Sequence, residues 1–295
     1  ALLLPCAFLS GWWVARRNRS NNTAVPAAGI NPDYFKGLNF VLNEQPDKAI
    51  EVFVKMLEVD SETVETHLAL ANLFRRRGEV DRAIRIHQNL IARPSLKSEQ
   101  RALALFELGM DYMRSGLLDR AEGLFKQLLD MNSYTAQASR QLLELYQQEQ
   151  DWDNAIVYAK RLEALSGEEK DPVIAQYYCE LASDNLAEGK VKKARENLRR
   201  ALNIDPGCVR GSILEAQMLQ TEGKHRSALK AYKRIEKQDA EYIGEVIDPI
   251  LACYQKLGQS REAIKYLHQI LDKHGGITSL LRLTELIIEQ QGDAE

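Results

Sequence analysis

Seven alanines recur in one register along this chain: Ala49, Ala83, Ala121, Ala155, Ala194, Ala228 and Ala263, at separations of 34, 38, 34, 39, 34 and 35 residues. A period of that length constrains a fold strongly. Each period must be one supersecondary unit that cannot bury its apolar face alone and completes its core against copies of itself. Five residues before the alanine stands Gly78, Gly116, Gly189, Gly223 or Gly258, with Glu44 and Gln150 as the exceptions. A third column holds Gly37, Ala71, Gly109, Ala182 and Ala216, with Leu143 and Leu251 in two units. Three places further on come Phe40, Phe74, Tyr112, Tyr146, Leu219 and Tyr254. The small residues let paired helices approach closely, the glycine turns the chain through a left-handed position, and the large residues fill the gap between layers.

One unit is clearest in residues 65–92, ETHLALANLFRRRGEVDRAIRIHQNLIA. Leu68, Leu70, Ala71 and Phe74 recur at helical spacing before Gly78, and Ala83, Ile84, Ile86 and Leu90 after it. Arg76 and Arg77 fall in the last turn of the first helix, where cations suit the dipole, and Asp81 is the expected cap of the second. Glycine and proline are sparse and alternating Val/Ile/Thr runs are missing, so the chain is expected to be all-α. The two long intervals predict inter-repeat loops at 92–100, with Pro94, and near 167–172. Ser279 to Gln291 reads as an eighth first helix, with Gly292 in the turn column. A solenoid needs a polar terminal cap, so the chain is expected to be part of a longer protein. The pattern resembles the tetratricopeptide repeat over about Ile30 to Gly275, and Pro206 stands where that family often places its inter-repeat proline. The expected fold is an all-α superhelical solenoid over 33–295, of about seven hairpins plus one helix.

Residues 1–15, ALLLPCAFLSGWWVA, carry no charge, and Arg16, Arg17 and Arg19 follow. As a helix they would span ~22 Å, most of a ~30 Å hydrocarbon core. We read 1–17 as a transmembrane anchor, with Trp12 and Trp13 near the interface and Arg16 and Arg17 on the cytoplasmic side. A cleaved signal would carry its positive charge before the apolar run, and Pro5 is a poor neighbour for a lipidated Cys6. Residues 18–32, NRSNNTAVPAAGINP, read as a tether with a reach of ~20 Å.

The formal charge of −3 and pI near 6.1 give no general reason to expect nucleic acid. Cys6, Cys179, Cys208 and Cys253 are far apart and form no C-x-x-C pair, so they are expected to be free thiols. No phosphate loop, H-E-x-x-H, G-x-S-x-G or metal-spaced histidine is present, which argues against catalysis and assigns no metal. His87 shares a column with Phe53, Phe125 and Tyr232 and is expected to be a packed histidine. Binding is the better expectation. The wall lined by first helices would carry Asn72, Arg75 and Arg76, then Met110 and Met113, Arg140 and Glu144, and Arg210 and Gln217. The arginine run suits acidic groups on a partner, which guanidinium forks hold bidentately.

Three stretches narrow the resemblance: GWWVARR (11–17), LANLFRRRGEVDRAIRIHQNL (70–90) and YYCELA (177–182). Together they look like the lipopolysaccharide assembly protein B family of Gram-negative inner membranes. That resemblance implies a non-enzymatic, single-pass adaptor whose cytoplasmic repeats link the FtsH membrane protease to the deacetylase committing precursor to lipid A. It also implies a transmembrane partner that reports lipopolysaccharide status. The family carries a metal in a C-terminal rubredoxin-like domain with paired C-x-x-C motifs, and nothing here matches that domain, so no cofactor is assigned to these residues. The alternatives are a structural scaffold for envelope-biogenesis enzymes, or the recruitment arm of an enzyme whose catalytic domain would lie beyond Glu295.

Overall fold

A computed structural model describes residues 32–59, 63–167 and 170–292. The expected anchor, and Cys6 with it, lie outside the described residues, as does nearly all of the expected tether. Among the described residues, no helix is long and apolar enough to cross a membrane. The chain is an all-α repeat solenoid, as its period predicts, and it divides into two compact units, one up to Ala121 and one from Glu122.

The first unit contains α1 (Pro32–Leu42), α2 (Pro46–Val59), α3 (Val64–Arg77), α4 (Val80–Ile91) and α5 (Ser98–Ser115). Each short turn folds a helix back on its predecessor, so α1 pairs with α2 and α3 with α4, and α5 lies against both α3 and α4. The sixth helix, α6 (Leu118–Asp130), begins at the end of this unit. The second unit continues with α7 (Thr135–Gln148), α8 (Trp152–Ser166), α9 (Asp171–Ala187), α10 (Val191–Ile204), α11 (Val209–Thr221) and α12 (His225–Gln238). It closes with α13 (Ile243–Leu257), α14 (Ser260–His274) and α15 (Ile277–Gly292). Here α7 pairs with α8, α9 with α10, and α11 with α12, and α13 packs on α12, α14 and α15.

The columns find their physical roles. The column alanines of both units are buried without exception. A Cβ added at Gly37 would come within 2.6 Å of the Phe53 ring, so a small residue there is what lets α2 close on α1. The turn column is left-handed in every unit: Gly78, Gly116, Gly189, Gly223 and Gly258 have φ between 66° and 89°, and Glu44 and Gln150 adopt φ of 54° and 59°. The geometry of the turn therefore overrides residue identity.

Local details differ in two places. Helix α4 starts at Val80 with Glu79 as its N-cap, so Asp81 lies inside the first turn and complements the dipole rather than capping. The insertions are only partly loop, because α5 and α9 lengthen to 18 and 17 residues and absorb Ser98–Gln100 and Asp171–Pro172. The Lys97 N–H donates to Gln100 Oε1 at 3.4 Å, and Pro172, near the start of α9, needs no hydrogen-bond partner for a missing N–H.

Nothing stands within 4 Å of a Cβ placed at Gly116, so Gly116→Ala should cost only its backbone strain less the unfolded-state entropy it removes, a net loss of about 0.5 kcal/mol. Gln150→Gly relieves the same strain but adds unfolded-state entropy, leaving a gain of about 0.5 kcal/mol. Denaturant melts of the two variants check the opposite signs.

Candidate functional site

The arginine-rich stretch ending α3 is mostly engaged within the first unit. The Arg75 guanidinium donates to the Glu107 backbone carbonyl at 3.0 Å, to Glu107 Oε2 at 2.6 Å and to Asp111 Oδ1 at 2.9 Å. Asp111 is fully buried, and its second oxygen accepts from His87 Nδ1 at 2.6 Å. His87 occupies a column that is otherwise apolar, as its packed reading predicts, and its Nε2 is buried without a hydrogen-bond partner. Arg77 pairs with Asp47 at 2.6 Å and Glu79 at 3.0 Å. Arg82 pairs with Glu79 at 2.6 Å and lies over the Phe74 ring at 3.8 Å from its centroid. Gln88 donates to the Tyr112 hydroxyl at 2.9 Å. The string from Arg75 to Gln88 thus ties the second repeat to the first and third.

Arg76 remains as the exposed cation of the run, with no ion-pair partner among the described residues. It borders a recess of about 310 Å³ with Val41, Glu44, Pro46, Leu73 and Arg77. Asn72 is half-buried on the same helix, its Oδ1 enclosed and unpartnered. Met110 and Met113 are half-buried on α5. In the second unit, Arg140 and Glu144 are exposed one turn apart on α7, and Gln217 is exposed on α11. Arg210 is exposed too, but reaches Glu180 of α9 at 2.7 Å.

A second concentration of charge was not apparent from the chain's total. Residues 190–237 hold thirteen Lys/Arg against five Asp/Glu, in a chain of net charge −3. Counting charge by segment would have found it. Five of these cations, Arg226, Lys230, Lys233, Arg234 and Lys237, border a recess of about 750 Å³ along α12, with Leu219, Leu229 and Ala231 supplying an apolar lining. Arg234 is held by Glu215 at 2.7 Å and the Ser212 hydroxyl at 3.0 Å. Lys233 lies over the Tyr254 and Tyr266 rings, 5.1 and 4.5 Å from their centroids. Arg226, Lys230 and Lys237 are exposed and have no ion-pair partner among the described residues. Nearby, Glu222 binds Lys224 and Arg195, and those hydrogen bonds hold its carboxyl below the usual range. Among the described residues, no group of three His, Cys, Asp or Glu is arranged to hold a metal ion.

Comparison with known proteins gives a consistent picture. Tetratricopeptide-repeat family models match residues 66–101, 106–169, 175–208 and 252–276. Lipopolysaccharide assembly protein B of Escherichia coli K12 is 40% identical over 291 residues, covering 99% of this chain and 75% of that protein. The protein of the same name from Haemophilus influenzae is 38% identical over 267 residues, covering 88% and 67%. Among solved structures, the C-terminal part of a TPR repeat-containing protein from Cytophaga hutchinsonii superposes with a TM-score of 0.52 at 15% identity. It covers 84% of this chain and 98% of that one, a likeness of fold alone.

Asp111→Ala leaves His87 and Arg75 without their buried partner and should destabilise the protein by about 3 kcal/mol. Arg76→Glu, at an exposed and unpaired position, should change stability by less than about 0.5 kcal/mol. Urea denaturation with an unchanged m-value tests both.

Proposed function

The chain belongs to the lipopolysaccharide assembly protein B family, and on that premise we propose that it is a non-enzymatic adaptor at the bacterial inner membrane. In this reading a single-pass anchor in residues 1–17 holds the repeats on the cytoplasmic face. The repeats bring the lipid A-committing deacetylase to an FtsH-type membrane protease, under the influence of a transmembrane lipopolysaccharide-sensing protein. The observation that carries the reading is identity of 40% along 99% of the chain to a relative named for lipopolysaccharide assembly, on a repeat fold suited to protein binding.

Physical reasoning supports the division of roles. Tethering confines a binder and a membrane protease to one thin layer and raises their effective concentration, so modest affinity for a client suffices. Two surfaces are suited to acidic segments of partners: Arg76 with Asn72 on α3, and the basic recess along α12. In each, cations without internal partners are available, and guanidinium or ammonium groups gain charge-assisted hydrogen bonds to carboxylates.

Deleting residues 1–17 should lengthen the half-life of the deacetylase severalfold in cells, measured by pulse-chase; an unchanged half-life would remove the tether from the proposal. Charge reversal by Lys230→Glu with Lys237→Glu should weaken capture of the deacetylase or the protease by about tenfold without lowering helix content. Equal capture at low and high salt, in wild type and variant alike, would exclude the α12 recess as a docking surface.

A further inference from the structure

The second unit brings together two sulfurs that the sequence keeps 29 residues apart. Cys179 lies in the middle of α9 and Cys208 is the N-cap residue of α11; both side chains are buried, and their Sγ atoms are 3.7 Å apart. From this geometry we infer that Cys208 and Cys179 form a dithiol modification site, oxidised by hydrogen peroxide or an alkyl hydroperoxide to a disulfide joining the first helices of the fifth and sixth repeats.

The surroundings differ for the two sulfurs in the way such a reaction needs. Cys208 Sγ sits at the N-terminus of α11, accepts the Gly211 N–H at 3.4 Å and faces the Gln176 amide at 3.7 Å. Donors and a helix N-terminus favour a thiolate. The hydrogen bond from Cys179, then that from the Gly211 N–H, bring the Cys208 thiol down to about 7, while donation to Cys208 and burial push the Cys179 thiol up. Cys208 is therefore the attacking sulfur and Cys179 the resolving one. Access comes from a recess of about 510 Å³ bordered by Cys208, Gln176, Arg210, Gln238 and Tyr242. Cys253 offers the contrast of a buried thiol raised by burial alone.

The chemistry balances. The Cys208 thiolate attacks one peroxide oxygen, an S–O bond forms as the O–O bond breaks, and the departing hydroxide or alkoxide takes up a proton. The Cys179 sulfur then attacks the sulfenic sulfur, an S–S bond forms, the S–O bond breaks, and the hydroxyl leaves as water with the Cys179 proton. The two sulfurs lose two electrons in all and the peroxide gains them. A dithiol reductant reverses the bond by exchange. The cross-link would fasten α9 to α11 directly beside Gln176 and Arg210 and stiffen that wall of the solenoid. This inference stands independently of the adaptor reading.

The test is to treat the purified full chain with limiting hydrogen peroxide, then alkylate the remaining thiols and map peptides without reduction. The expected result is a peptide linking Cys179 to Cys208, formed roughly tenfold faster than Cys253 is lost, with greater hydrogen-exchange protection across 176–213. In Cys179→Ser the reaction should stop at a sulfenic acid on Cys208, trapped as its dimedone adduct. Should that variant fail to fold, the wild-type peptide map decides alone. The inference is overturned if Cys208 remains a thiol, or if it is oxidised no faster than Cys253.

Discussion

Close approach of paired helices at the alanine column is the constraint on which the rest of the structure depends. A side chain larger than alanine would separate the second helix of a hairpin from its neighbours, and the apolar face would then lie open. At Ala49, Ala83, Ala121, Ala155, Ala194 and Ala228 the exposure is 0%. Because every hairpin makes the same approach, every connecting turn must have the same shape. That explains why Glu44 and Gln150 accept a left-handed backbone that glycine would occupy more cheaply. Strain at two turns is offset by apolar burial in the hairpins on either side.

Within that uniform scaffold, the second and third repeats place buried polar side chains at two column positions, His87 and Asp111. Elsewhere the His87 column holds buried residues such as Phe53 and Tyr232, and the Asp111 column holds buried Leu73 and Leu145 but exposed Asn39 and Asp184. A buried polar pair of this kind contributes little net stability over a hydrophobic one, but its loss of one partner is costly. It fits α4 to α5 in one register, because a slip would leave Asp111 apart from both His87 and Arg75. The repeat consensus does not require this detail, and the purpose the structure gives it is cohesion between repeats.

How much was legible in the sequence follows from the range of each interaction. Helix pairing, the turns and the buried face all repeat at short, regular spacing, so the columns displayed them. The engagement of Arg75 was not visible, because its partners Glu107 and Asp111 lie 32 and 36 residues away on another helix. Local reasoning placed Arg75 on the binding wall beside Asn72 and Arg76. Cys179 and Cys208 were hidden similarly: their separation matches no metal or disulfide motif, and only stacking of α9 on α11 brings them together. The basic recess was masked for a different reason. A net charge taken over the whole chain averages an excess in 190–237 against acidic residues elsewhere.

The same distinction sorts the chain's cations by what they can do for a partner. Arg75, Arg77, Arg82 and Arg234 already have carboxylates of their own chain within 3.0 Å. A partner's carboxylate competing for one of them would gain a contact only by breaking one, and for Arg75 it would also strand the buried Asp111. Arg76, Arg226, Lys230 and Lys237 carry no such cost, since water is what they give up. Recognition of an acidic segment should therefore fall on the second group, although the first contains the longest-range bonds and the most distinctive sequence. Distinctiveness in 70–90 marks mainly where the repeats are locked together, while the cations left for partners, Arg76 inside that stretch and Arg226, Lys230 and Lys237 outside it, take no part in the lock.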